Sequence, residues 1–206
     1  MSISGKRHHG LLLYVAFFTL HSSLFTLTSC TAEGEYSTWP CRFGYDNSLH
    51  LDPTLSSAMS PDVRGVFCRI WESTNGGRYL NFQSNQSSQV TSQIESDMER
   101  MAGFVLGLNN GIIVGFQTYN TQPYGGFVAY DVQCPNCVRR ENNTLNPKFP
   151  VTMSTSGIAT CGKCQKQYDL NNGGVIQNGE KDDVGLQKYL ATTTGPFGYV
   201  SVGTKR

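Results

Sequence analysis

Histidine is scarce in this 206-residue chain, and its distribution restricts what the protein can do. Three of the four, His8, His9 and His21, fall within the first 30 residues, which leaves His50 alone in the remainder. A site needing two histidines cannot be assembled there. Neither the His-Glu-x-x-His helix of a zinc protease nor the Gly-x-Ser-x-Gly nucleophile turn occurs. His50 lies between Leu49 and Leu51, a setting that predicts a packed, hydrogen-bonded ring rather than a general base. Charge is also sparse: 15% of residues are charged and the net charge is +1, with no basic stripe, so nucleic acid is not an expected partner. Asp and Glu are scattered, and none forms a recognisable acid–base pair. The apolar run Leu11–Leu20 is too short to cross a bilayer comfortably, and His21 interrupts it. Few stretches keep a helical period.

Glycine is plentiful instead, with 22 residues set among Asn, Ser, Thr and aromatics. Short strand-like runs occupy Val66–Ile70, Phe104–Leu108, Gly111–Thr118, Gly126–Tyr130, Gly157–Thr160 and Tyr199–Val202. Turn signals such as Asn75-Gly76-Gly77 and Asn171-Asn172-Gly173-Gly174 separate them. This pattern predicts an all-β fold, an antiparallel β-sandwich with one or two short helices. The helix candidates are Pro53–Met59 and Ser92–Met101, the latter with Ile94, Met98 and Met101 at helical spacing. Asp169 is expected to cap the turn before Gly173. The sequons at Asn85 and Asn142 are expected on surface loops.

Lys6 and Arg7 before the apolar run, then Leu27-Thr28-Ser29-Cys30, have the form of an export signal over residues 1–29. The ending resembles a bacterial lipobox, which would make Cys30 a lipidated N-terminus and the membrane a partner. The expected order is then a tether over 30–38 and a single domain over 39–206. The expected location is the bacterial cell envelope, with an unknown protein or envelope ligand as partner.

Six cysteines remain after Cys30. Cys134-Pro135-Asn136-Cys137 and Cys161-Gly162-Lys163-Cys164 are matched pairs, with 23 residues between Cys137 and Cys161. Each pair can grip one ion from a tight turn, and two such turns complete a four-sulfur site favoured by zinc or a lone iron. Six disulfide-bonded cysteines would be the alternative in an exported protein. Cys41 and Cys68 could form a disulfide or remain separate buried thiols. Of the cations beside the knuckles, Lys163 is expected to assist the thiolates, while Arg139, Arg140 and Lys166 are expected to be solvated.

Ala129-Tyr130-Asp131 leading into Cys134-Pro135, and Ala159-Thr160-Cys161 running on to Tyr168-Asp169-Leu170 and Gly173, together resemble the Rieske iron–sulfur domain. Leu186, Tyr189 and Tyr199-Val200-Ser201-Val202 fit its closing strands. The resemblance covers about the last 100 residues and implies a β-sandwich with the ligand loops at one end, here a metal-binding lobe at about 125–175. It also implies two histidine ligands, yet those positions hold Asn136 and Cys164, so an ordinary Rieske cluster is excluded by composition. The first pair resembles a zinc-ribbon or rubredoxin knuckle. Three functions follow. One is a structural metal, zinc ahead of iron, in a binding or interaction module. The second is electron transfer through a four-cysteine iron or, behind it, a [2Fe–2S] centre. The third, hydrolysis, lacks a supporting motif, and a non-enzymatic role is favoured.

Overall fold

The computed structural model describes residues 36–119 and 126–205. The expected export signal over residues 1–29 and the expected lipidation site Cys30 lie outside the described residues. Eight strands form one sheet and four form a second. In chain order these are β1 (Arg42–Asp46), β2 (Phe67–Thr74), β3 (Arg78–Ser84), β4 (Val90–Ile94), β5 (Ile112–Phe116), β6 (Phe127–Asp131), β7 (Val151–Met153), β8 (Ile158–Cys161), β9 (Gln167–Asp169), β10 (Val175–Ile176), β11 (Lys188–Thr193) and β12 (Tyr199–Gly203). The larger sheet has the order β1-β12-β11-β6-β5-β2-β3-β4, and the smaller β10-β9-β8-β7. Every ladder between these strands is antiparallel. The all-β expectation therefore holds.

The centre of the larger sheet explains the continuous apolar run Ile112-Ile113-Val114-Gly115-Phe116. All five residues are buried, because β5 is covered on both faces. Ile112 and Val114 enter one core with Phe43, Tyr45, Leu55, Ile70 and Phe82. Ile113 points the other way and joins Phe67, Tyr130, Val151, Tyr168 and three of the cysteines beneath the smaller sheet. The period-two alternation of side chains thus distributes one strand between two cores. Gly115 has no side chain for a physical reason: a Cβ would strike the Val66 carbonyl and the Phe67 ring. Towards the sheet edge the pattern becomes one-sided, as in β1 and β12, where buried and more open residues alternate.

Among the described residues four short helices accompany the sheets: α1 (Asn47–His50), α2 (Pro53–Ala58), α3 (Asp97–Ala102) and α4 (Pro135–Glu141). Helix α2 matches the expectation at Pro53–Met59. Asp52 caps it by accepting from the Leu55 N–H at 2.9 Å, and Pro53 occupies the first turn. The expected helix at Ser92–Met101 is corrected. Val90–Ile94 is an edge strand paired with β3, and the helix begins only after Ser96. Ser96 and Glu99 form a reciprocal capping box there, which fixes the start. Upstream, Thr91 bonds Thr54 and Gln93 bonds Asp52, a strand period facing α2. Ile94, Met98 and Met101 are consequently exposed rather than a core stripe. Phe104–Leu108 is likewise not a strand. Only Val105 bridges Arg42, and Gly107 turns the chain at φ +68°.

The domain also begins earlier than residue 39: Ser37 is buried and donates its N–H to the Lys188 carbonyl at 2.7 Å. Asn85, expected on a surface loop, is buried and bonded to the Phe67 N–H and Gly65 carbonyl. Asp169 does cap the turn before Gly173, accepting from Asn171 N–H at 2.9 Å.

Candidate metal centre

The two cysteine pairs reach the same place from different local structures. After β6 the chain passes Val132 and Gln133, and Cys134 becomes the residue just before helix α4. Pro135 stiffens the first turn, and Cys137 lies three residues on, on the same helical face. The second pair is the tip of the β8–β9 hairpin. Cys161 N–H bonds the Lys166 carbonyl at 3.0 Å, and Gln165 takes the left-handed conformation at φ +57° to close the turn.

All four Sγ atoms lie within 4.8 Å of one another. Across the site, Cys134 and Cys164 are 3.6 Å apart, and Cys137 and Cys161 are 3.7 Å apart. A Zn–S bond of about 2.3 Å sets tetrahedral sulfur–sulfur edges of about 3.8 Å. The donor set therefore fits a single tetrahedral ion. Three of the four thiols are buried, and only Cys164 is partly open. No known family, curated protein or solved structure matches this chain.

A chain of hydrogen bonds orients the first ligand. Asn136 donates from Nδ2 to the Val184 carbonyl at 2.9 Å and accepts the Val184 N–H on Oδ1 at 3.0 Å. That pairing fixes which end of the amide faces where. Its Nδ2 also donates to the Tyr168 hydroxyl oxygen at 3.0 Å, leaving the hydroxyl proton for Cys134 Sγ, 3.0 Å away. Asn136 is thus no ligand but a support held by β-loop backbone, and Tyr168 is the group that touches sulfur. The signal for both was present in Cys-Pro-Asn-Cys and Gln-Tyr-Asp, but nothing in spacing links positions 32 residues apart.

Burial pushes the Cys134 thiol up to about 11, with the Tyr168 hydroxyl and the Cys137 amide pulling the other way. Burial also drives Cys137 upward. At Cys164 burial acts in the same sense, but the Lys166 amide and the neighbouring thiols outweigh it and the thiol falls below its usual value. A divalent cation among the sulfurs would reverse the upward shifts, because the thiolate is the ligand form.

The surrounding cations differ from expectation. Lys163 is half-exposed, pairs with Glu141 at 2.7 Å and lies over the Phe149 ring at 4.8 Å, so it does not face the sulfurs alone. Lys166, expected in solvent, is the buried one, held between Glu180 at 3.0 Å and Asp183 at 2.8 Å. It ties the 178–184 loop over the site. Beside Cys137 and Cys164 a polar pocket of about 350 Å³ opens, bordered by Arg140, Glu141, Lys163 and Glu180.

The remaining sequence candidates lie elsewhere. Cys41 and Cys68 are free thiols in the apolar core, so the disulfide alternative gives way to two buried thiols. Burial raises Cys41 to about 12 and moves Cys68 in the same direction, which leaves both as inert small hydrophobes. His50 stacks on Tyr45 with ring centroids 4.7 Å apart and pairs with Glu99 at 3.0 Å, well integrated into the first core.

Proposed function

We propose that this chain is a lipid-anchored envelope protein whose β domain uses one structural zinc ion to close a Rieske-like lobe and present it for binding. The observation that carries the zinc reading is the closed set of four sulfurs with 3.6 and 3.7 Å edges. With four protein ligands no coordination position is left for water or substrate, so the ion holds structure instead of activating a bond. The Rieske-like part rests on the order of elements: a strand into the first cysteine loop, a hairpin, and a second cysteine loop between β8 and β9. Two irons would spread their ligands beyond the edge of one tetrahedron, which favours a single ion over a [2Fe–2S] cluster.

Electron transfer is the second reading, favoured by the partly open Cys164 beside the polar pocket, a route by which a partner could approach the metal. Metal analysis and the absorption spectrum of the purified protein decide between them. One zinc per chain and no visible absorption are expected, and stoichiometric iron with thiolate-to-iron bands overturns the structural reading. The anchor has its own test: Cys30→Ser should move the protein from the membrane to the soluble exported fraction, and unchanged membrane retention sinks the lipid assignment.

A further inference from the structure

A second site lies away from the cysteines. Between the open face of β2–β3 and the edge strand β7 runs a groove of about 420 Å³, with Arg69, Gln83, Ser84, Ser88, Thr152 and Thr155 among its lining residues. Arg69 and Gln83 are direct cross-strand partners, so their side chains share that face. Among the described residues no acidic side chain lines the groove, and Arg69 is its only charged residue. The Arg69 Nε is buried and has no hydrogen-bond partner among the described residues.

This contrasts with other partly buried cations. Arg78 is bonded twice to Glu72, and Lys166 is held by two carboxylates. Arg69 instead places its guanidinium over the Trp71 ring, 5.1 Å from the centroid. Stacking uses the flat face of the group and leaves its N–H fork free in the plane. A buried donor without a partner costs free energy, and a cation held in a polar groove with no carboxylate beside it attracts a counter-charge. Burial alone lowers the Arg69 pKa, and no carboxylate offsets it.

We propose that this groove binds a small carboxylate-bearing ligand, an organic acid or an acidic sugar, whose two oxygens take the Arg69 fork while the groove hydroxyls and Gln83 bond its remaining polar atoms. Arg69 is the anchor because a planar guanidinium matches a planar carboxylate in two parallel hydrogen bonds. The site stands whether or not the cysteine centre holds zinc.

Calorimetric titration of the full metal-replete protein at constant ionic strength tests it, with succinate, glucuronate and glucose as probes. Saturable 1:1 binding of succinate or glucuronate, with none for glucose, is expected; preference between the two identifies the organic-acid or sugar source. Arg69→Gln should weaken binding roughly tenfold or more, and Arg69→Lys should lose much of it, since an ammonium offers no fork. Thr152→Glu, at an exposed position, supplies an internal carboxylate and should abolish binding without disturbing the fold. That variant decides the matter if Arg69→Gln does not fold. No saturable heat with either acid, or unchanged affinity in Arg69→Gln or Thr152→Glu, overturns the proposal. Metal content measured in each sample separates this outcome from a failure of the zinc reading.

Discussion

The larger sheet fills one of its faces with rings and branched aliphatic side chains from β1, β2, β3, β5, β6, β11, β12 and helix α2, whereas the smaller sheet brings only short strands and closes around four thiols. Phe43, Tyr45 and Phe82 supply the first core with apolar area that stabilises it directly. The second core draws much of its apolar surface from the far face of β2, β5 and β6. Strands of two to four residues bury too little on their own to offset their ordering entropy. The difference teaches that the four thiols gather where the fold runs out of hydrophobic area, so that on the zinc reading one region should survive loss of the ion and the other should not.

The largest break in that symmetry should come from Cys161→Ser. On the zinc reading, removing a buried ligand forfeits a metal-binding free energy on the order of 10 kcal/mol. Amides of Ile158–Cys161 and Gln167–Asp169 should lose hydrogen-exchange protection, while those of Cys68–Ile70 and Ile112–Val114 keep it. Uniform loss across both sheets would show a single cooperative unit instead. Next come two neighbours on one strand, Ile112→Ala and Ile113→Ala, each costing about 2–5 kcal/mol by urea denaturation. After chelation the cost at Ile113 should shrink and that at Ile112 should not.

Asp131 sharpens the comparison at the junction. It is buried and accepts from Tyr189 Oη at 2.7 Å, Leu108 N–H at 2.7 Å and Gln133 N–H at 2.6 Å, yet burial raises its pKa from 3.8 to about 6. The neutral form is the one the fold prefers. Its contribution is therefore complete below about pH 4 and is lost as pH rises through about 6, a difference of about 3 kcal/mol. The metal centre acts oppositely, since protons compete with the ion at sulfur. Denaturation of the metal-free protein from pH 4 to 7 should show stability falling with pH, and Asp131→Asn should flatten that slope. Tyr168→Phe deletes the hydroxyl on Cys134 and leaves Asn136 short of a partner, at a cost of about 1–3 kcal/mol and roughly tenfold in metal affinity. Competition with a chromogenic chelator reads the second effect. The smallest change belongs to Lys163→Ala, an exposed pair whose loss should fall within the error of a melting curve. Lys166→Ala should instead raise protease cleavage in the 178–184 loop.

Much of the fold was legible in local chemistry. The runs at 112–116 and 199–202, the Asn-Gly-Gly turn after β2 and the Asp52-Pro53 helix start all carry their instructions within a few residues. Polar strands were harder. β3 and β4 contain Arg, Asn, Gln, Ser and Thr because β4 lies at an edge and one face is wet, and Ile94, Met98 and Met101 imitate a helix stripe across the strand-to-helix boundary. The site shows the same division. Thiol spacing identified all four sulfurs, since C-x-x-C is a local grip, but the partners of those sulfurs are distant in sequence. Position within the second knuckle favoured Lys163 over Lys166, and only the 178–184 loop folding over Lys166 makes it the buried one and leaves Lys163 a surface pair.

By itself, then, the sequence determined the all-β class, the exclusion of a two-histidine centre from residues 31–206 and the four-cysteine cluster, because each depends on residue type, count or spacing within one turn. Tertiary structure decided that Asn136 supports Tyr168 against Cys134, that Cys41 and Cys68 remain thiols, and that Arg69 faces a groove with no counter-charge. Those outcomes depend on which groups meet across strands and loops, from Arg69 and Gln83 within one hairpin to Arg69 and Thr152 on different sheets, where chain connectivity imposes no geometry until the sheets have packed.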